Sequence, residues 1–170
     1  IDSGYDADST YDFCADNADW ALPVKGSSSP MMSHFKLSKI NRPDSKAFGM
    51  NLVMVDGDKY KDMIAARMKK QNGRGAWMVY DGCDMEYAEQ VTAEHKVGVK
   101  VGAKTVQRWR PKRSHGDNHY LDCEVYALAA ADIMGVRSMH LEEADDEPEV
   151  KRQLDAKTDE ESWIEQNESW

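Results

Sequence analysis

The clearest helical pattern in this chain is Asp117-Asn118-His119-Tyr120-Leu121-Asp122-Cys123-Glu124-Val125-Tyr126-Ala127-Leu128-Ala129-Ala130-Ala131. The positions three, four, seven and eleven residues after Asp122 are Val125, Tyr126, Ala129 and Ile133, which share one face of a helix. This predicts a helix with a carboxylate near its start, where the helix dipole favours an anion. A carboxylate on an apolar face needs a cation or hydrogen-bond donors. Asp122 is therefore either a metal ligand or a local cap or salt-bridge partner.

Strands and helices alternate along the rest of the chain, which predicts an α/β fold. Ser9 and Asp12 form a capping-box pattern that predicts a helix to about Asn17. Residues 31–49 are predicted as loop or a weak hairpin. The remaining predicted elements are strands at 22–25, 51–55 and 76–80, helices after Asp56 and at 85–94, a hairpin at 96–110 and the helix at 118–134.

The charge of the chain is unevenly distributed. The formal net charge is −9, and residues 142–170 alone hold twelve acidic and three basic residues, which leaves nineteen of each in residues 1–141. A neutral body can carry a surface for a polyanion despite the acidic total. The acidic segment has the composition of a disordered tail, in which Trp163 and Trp170 are predicted anchors for a partner. A solvated helix folded back on the body is the alternative.

Other features limit the class of protein. The sequence contains no run of about 18 apolar residues and no signal-peptide pattern, so we expect no membrane partner. Cys14, Cys83 and Cys123 are widely spaced, which favours free thiols in a reducing compartment. The length of 170 residues suits one domain with a core.

Asp2 is a second candidate carboxylate. It ends a predicted strand and precedes Ser3 and Gly4, and taken alone it is most simply a turn carboxylate beside a glycine. Together with Asp122 it offers two oxygen ligands from separate elements, which suit Mg²⁺ or Mn²⁺. Two such ions can activate water and stabilise the leaving oxygen in phosphodiester cleavage.

A run without acidic residues covers the predicted hairpin. Its seven bases are Lys96, Lys100, Lys104, Arg108, Arg110, Lys112 and Arg113. These side chains are predicted to contact DNA phosphates, with Trp109 against sugar and base. The alternative is an ordinary half-solvated strand pair. Lys25 and Lys59 are weaker phosphate-contact candidates, and Asp56 and Asp58 are predicted as helix caps rather than metal ligands.

A zinc site is a further alternative. His115, His119 and Cys123 are spaced four residues apart and could share a helix face as zinc ligands. Only three ligands are visible in the pattern, and Gly116 and Asp117 weaken a helix at the first of them.

Six short motifs occur in order between residue 1 and about residue 135. They are Ile1-Asp2-Ser3-Gly4-Tyr5, Val24-Lys25-Gly26, Asp56 with Lys59, Gln90-Val91-Thr92-Ala93-Glu94, Arg108-Trp109, and Asn118 through Ala131. Taken together, they resemble the C-terminal nuclease region of the lambda-type, gpA-like large terminase subunit of tailed bacteriophages. One departure is His119, because the family usually has Asn-Glu where this chain has Asn118-His119.

The resemblance implies a ribonuclease H-like fold that cuts concatemeric double-stranded viral DNA at packaging, in the host cell cytoplasm. Three acids hold two Mg²⁺ or Mn²⁺ ions in such folds, and Asp2 and Asp122 match the second and third. The first is expected on a strand upstream of Ile1, so we expect N-terminal strands to be missing from this chain. The ATPase motor is expected elsewhere in the parent protein, because no Walker-type motif occurs here.

The same resemblance implies partners and a domain division. Residues 1–141 are expected to form the nuclease domain, and residues 142–170 an acidic tail that docks on the portal of the procapsid through Trp163 and Trp170. Cut-site specificity is expected to come from the terminase small subunit. The alternative function is a non-catalytic docking module that binds portal through the tail and DNA through the basic hairpin.

Overall fold

A computed structural model describes residues 1–71, 73–114 and 116–139. The elements in chain order are α1 (Ala7–Asp16), β1 (Val24–Gly26), β2 (Phe35–Lys39), β3 (Asn51–Val55), α2 (Gly57–Met68), α3 (Met85–Val91), β4 (Glu94–Val101), β5 (Lys104–Pro111) and α4 (His119–Ile133), followed by a 3-10 turn at Val136–Ser138. The fold is thus mixed α/β, as the alternating pattern predicts.

The first sheet has three strands in the order β1-β3-β2. β1 runs parallel to β3, with Val24 opposite Val53, and β2 runs antiparallel to β3, with Leu37 opposite the same residue. The chain start extends this sheet, because Asp2 forms a parallel bridge with Val24. The second sheet is the β4–β5 hairpin, in which Lys96 lies opposite Trp109.

The sheet is covered on both faces. Val53 and Val55 are two residues apart on β3, so their side chains lie on the same face of the sheet. There they pack with Ile64 of α2 and Val125 of α4 in the larger core cluster. Leu52, the residue before Val53, packs with the smaller cluster of Tyr11 and its neighbours beneath α1. Helices α2 and α4 therefore lie together on one face and α1 on the other.

Helix starts follow the capping chemistry of the sequence. Asp56 caps α2 by accepting a hydrogen bond from the Lys59 amide, which confirms the prediction for this residue. Asp58 lies inside the first turn and pairs with Arg108 instead, so its prediction as a cap is wrong. Helix α1 is capped by Asp6 rather than by Ser9, because the Asp6 carboxylate accepts from the Ser9 amide.

Four predictions differ from the structure. Residues 76–80 form no strand and Met78 and Tyr80 are exposed, and no strand within the described residues pairs with this apolar segment. Helix α3 ends at Val91, before the predicted limit of residue 94, since Glu94 already pairs with Pro111. The strand predicted at 22–25 begins only at Val24, and β2 forms within the stretch predicted as loop or weak hairpin.

Ile1–Arg137 forms a unit of its own, which contains both sheets and the four helices. The boundary predicted between residues 141 and 142, the acidic tail and its Trp163 and Trp170 lie outside the described residues. In the part of the chain that is described, no helix is long and apolar enough to span a bilayer.

Candidate active site

Backbone hydrogen bonds hold Asp2 at the edge of the first sheet. The Ser3 amide donates to the Val24 carbonyl at 2.9 Å, and the Val24 amide donates to the Ile1 carbonyl at 2.8 Å. The Gly4 amide donates to Asp2 Oδ1 at 2.9 Å. A β-carbon at Gly4 would lie 3.2 Å from the same oxygen, so glycine keeps room for this carboxylate.

Asp122 lies in the first turn of α4, as its sequence pattern predicts. Leu121, Val125 and Ala129 form the buried stripe of this helix, whereas the Asp122 side chain is 44% exposed. Asp122 therefore borders the apolar face instead of lying within it, and its carboxylate can reach solvent and the sheet edge.

Tyr126 links the two carboxylates. It follows Asp122 by one helical turn, and its hydroxyl donates to Asp2 Oδ1 at 3.2 Å. The charge of Asp2 also contributes to raising the pKa of Asp122, and both charges, after burial, raise the pKa of Tyr126 above its ordinary value. Asp2 and Asp122 thus lie on the same side of the molecule, although 120 positions separate them in the chain.

A buried ion pair stands beside Asp122. Lys61 Nζ lies 2.7 Å from Glu94 Oε1 and 3.5 Å from Asp122 Oδ1. Burial is the main cause that raises the pKa of Asp122, the neighbouring Lys61 ammonium lowers it, and the Glu94 charge raises it again. The site thus combines a concentration of negative charge with one close lysine.

A cavity of about 270 Å³ lies at the carboxyl ends of β1 and β3. Its charged and polar lining includes Asp58, Lys61, Arg108, Asp122 and Tyr126. The Arg108 guanidinium is held there by Asp58 Oδ2 at 3.2 Å. The cavity therefore presents a carboxylate, a lysine and an arginine to a ligand.

The carboxylate oxygens at the site are of the kind that binds a hard divalent ion, but they are few. Carboxylate oxygens are the ligands that Mg²⁺ and Mn²⁺ take, with water completing the shell, and Asp2 and Asp122 supply them. Among residues 1–71, 73–114 and 116–139, no group of three or more His, Cys, Asp or Glu side chains is placed to hold a metal ion. The two carboxylates are therefore too few by themselves to complete the shell of such an ion, and water or a further ligand would have to supply the rest.

The zinc alternative gains no support. His119 is exposed and lies 3.8 Å from Asp117, and Cys123 is an exposed free thiol. His115, the remaining residue of that pattern, lies outside the described residues.

The predicted DNA-contact bases fall into two groups. Lys96 pairs with Asp62 at 2.6 Å, Arg108 pairs with Asp58, and Lys59 donates to the carbonyls of Met31 and Met32 at 2.6 and 2.7 Å. In the described stretches, no ion pair involves the exposed bases Lys25, Lys100, Lys104, Arg110, Lys112 and Arg113. The second group is therefore available to an external polyanion, and the first is engaged within the fold.

The sequence pattern predicts Lys59 as a phosphate contact, whereas the lysine that lines the cavity is Lys61. Two residues separated by two positions project about 200° apart around a helix, so only one of these lysines can face α4. Sequence reasoning likewise assigned no role to Glu94, Asn118 or Tyr126. The sequence gives only weak indications of these roles: Glu94 belongs to one of the six motifs, and Tyr126 belongs to the apolar stripe beside Asp122.

The chain is a mixed α/β protein, and its candidate site consists of carboxylates flanked by basic side chains. Residues 1–142 match the model of the family described as terminase large subunit gpA, endonuclease domain. The chain belongs to this family, which makes it an endonuclease domain of the phage DNA-packaging machinery. No curated protein and no solved structure gives a significant match.

Proposed function

We propose that the chain is the metal-dependent endonuclease that cleaves concatemeric double-stranded DNA when the phage genome is packaged. The observation that carries the proposal is the hydrogen bond from Tyr126 to Asp2, which ties this carboxylate to the helix of Asp122 beside a cavity lined by Lys61 and Arg108. The mixed α/β fold is compatible with the ribonuclease H-like class, and we propose that class for it.

In this proposal, Asp2 and Asp122 hold Mg²⁺ or Mn²⁺ in a two-ion site. A third carboxylate, which the family resemblance implies, would complete it. When bound, such ions supply a nucleophilic water at neutral pH and neutralise charge on the phosphate. The residues of this chain orient the substrate: Arg108 stands at the cavity and can exchange its bond to Asp58 for one to a phosphate oxygen.

The remaining partners are proposed on the same basis. The ATPase motor, the terminase small subunit and the portal of the procapsid would act with this domain in the host cytoplasm. Portal docking through residues 142–170 remains a prediction.

The experiment that tests the proposal is cleavage of linear and plasmid double-stranded DNA by the large subunit that contains this domain. Cleavage should require Mn²⁺ or Mg²⁺, stop on chelation with EDTA, and resume when the ion is restored. Cleavage that persists after the divalent ions are removed contradicts the proposal.

The unpaired bases of the hairpin give a separate prediction about DNA binding. Changing Lys100 and Lys104 to alanine should weaken DNA binding and reduce the slope of log K against log salt by about 2, because each lost phosphate contact removes about 0.9. Binding is measured by fluorescence anisotropy over a salt series.

A matched control removes the same charge elsewhere. Lys39 ends β2 and Lys46 pairs with Asp16 at 3.1 Å, so the variant Lys39→Ala with Lys46→Ala also loses two lysines. Its salt slope should equal that of the original protein. Equal slopes for both double variants would show that total charge, and not the hairpin, determines binding.

A further inference from the structure

Three side chains from three elements form a buried chain next to Asp122. Glu94, at the start of β4, accepts hydrogen bonds from Lys61 Nζ of α2 at 2.7 Å and from Asn118 Nδ2 at 2.8 Å. The exposed fractions of the Lys61 and Glu94 side chains are 13% and 6%. Charges this buried occur in proteins only when they are paired.

Glu94 does not reach the cavity. Lys61 and Asp122 line it and Glu94 does not. Glu94 can therefore affect a ligand in the cavity only without touching it, through Lys61, through Asn118 or through the effect of its charge on Asp122.

Asn118 is the second side chain that donates a hydrogen bond to Glu94. It is the N-cap residue of α4, but its side chain makes no capping hydrogen bond. Its amide is turned to Glu94 instead, while its backbone carbonyl accepts from the Asp122 amide at 3.1 Å. Glu94 thus holds both the start of the helix that carries Asp122 and the lysine that stands beside it.

The two distances from Lys61 differ in a way that matters for metal binding. The ammonium is 2.7 Å from Glu94 and 3.5 Å from Asp122, so Glu94 is its primary partner. An ammonium in direct contact with Asp122 would compete with a divalent cation for the same oxygens.

We propose that Glu94 is a positioning residue. It keeps the Lys61 ammonium, which already lies within ion-pair distance of Asp122, from a closer approach and so keeps this carboxylate available to a divalent cation. This inference rests on the proposed function, because it assumes that Asp122 is a metal ligand. It assigns to Glu94 and Lys61 a part in metal affinity that does not require either side chain to touch the ion.

Glu94→Gln separates the charge from the shape of the side chain. Its amide oxygen can still accept from Asn118, but it no longer neutralises the lysine. Lys61 is then left with Asp122 as its nearest carboxylate, and Mn²⁺ affinity should fall about tenfold, the lower range for a change in a residue that orients a metal ligand.

The second variant combines Glu94→Gln with Lys61→Met. It removes the buried carboxylate and the competing ammonium together, so Mn²⁺ affinity should return to the original value or exceed it. A purely structural role for Glu94 predicts no recovery, because Lys61→Met restores none of the packing and hydrogen bonding that Glu94→Gln removes.

The experiment measures Mn²⁺ binding to the 170-residue chain by electron paramagnetic resonance of the free ion. Circular dichroism verifies that each variant is folded, and exposed Glu89→Gln in α3 is the matched control. In parallel, DNA cleavage by the large subunit over a Mn²⁺ series should show a higher half-saturating concentration for Glu94→Gln, with the rate at saturating Mn²⁺ retained.

The outcomes separate this inference from the function on which it rests. Unchanged Mn²⁺ affinity in Glu94→Gln, or a double variant as weak as the single one, overturns the role of Glu94 while Asp122-dependent binding stands. Mn²⁺ binding that does not depend on Asp122 overturns both. No binding to the 170-residue chain overturns this inference, and the proposed function is then decided separately by DNA cleavage with the large subunit.

Discussion

Replacing Asp122 with asparagine should lower divalent-ion-dependent DNA cleavage by about a thousandfold or more. Asparagine keeps the shape of the side chain but loses the charge that would hold the ion. Metal ions contribute several kcal/mol to stabilising the charge of a transition state, and about 4 kcal/mol corresponds to a thousandfold in rate. The rate is measured on plasmid DNA with the large subunit and saturating Mn²⁺.

The same substitution should leave the fold as stable as before, or more stable. Burial raises the pKa of Asp122 above its ordinary value, more than Lys61 lowers it. An acid whose pKa is higher in the folded than in the unfolded chain destabilises the fold once the pH exceeds its folded pKa. Asparagine removes that cost, so the melting temperature at pH 7 should not fall.

Asp19→Asn is a suitable control. Asp19 is an exposed aspartate in the turn after α1, and its substitution should change neither cleavage nor melting temperature. Cleavage by Asp122→Asn at more than a few per cent of the original rate would remove Asp122 from the mechanism. A drop in melting temperature would mean that the carboxylate is primarily structural.

Replacing Ile64 with alanine should give the largest loss of stability. Ile64 is 1% exposed in the core cluster that joins α2, the first sheet and α4. Truncating a buried isoleucine costs about 2 to 5 kcal/mol, because the transfer free energy is lost and a cavity remains. In a chain of this length the melting temperature should fall by roughly 10 °C, as measured by thermal unfolding with circular dichroism.

The control for Ile64 is an aliphatic truncation on the surface. Leu37 of β2 is 51% exposed, and Leu37→Ala should shift the melting temperature by only a degree or two, since surface changes stay within about 0.5 kcal/mol. Similar losses for the two variants would contradict the core described for α2 and α4.

The elements predicted best are those whose local pattern and tertiary partner agree. In α4 the apolar spacing gives the buried stripe of Leu121, Val125 and Ala129, and Gly135, with φ of +70°, follows the helix as predicted. The hairpin shows period-two alternation on both sides of Gly102, which adopts φ of +60° in its turn. The backbone hydrogen bonds of the helix, and those of two strands joined by a short turn, form between residues close in sequence, so the local pattern is sufficient to identify both elements.

A predicted element is wrong mainly where its structure depends on a partner that is remote in sequence. Residues 76–80 have the composition of a strand, but strand formation requires a neighbour, and the chain provides none there. Ser9 and Asp6 are both acceptable caps, and the choice between them depends on how the chain leaves the sheet after Asp2.

The residues of the candidate site also differ in whether a local pattern or a remote partner defines them. Asp122 could be chosen from its place on a helix, because that place can be read from spacing alone. Lys61 and Glu94 could not, since their pairing joins α2 to β4 across 33 positions and leaves no periodic trace. Asp2 becomes a candidate ligand only in combination with Asp122, because taken alone it is most simply a turn carboxylate beside a glycine.

The phenol of Tyr126 has one more consequence. Burial and the charges of Asp2 and Asp122 raise its pKa well above the usual range of tyrosine, so it keeps its proton even in alkaline solution. The hydrogen bond between the chain start and α4 therefore keeps its donor from neutral into alkaline pH. A loss of DNA cleavage in that range would have to be sought in another group of the protein.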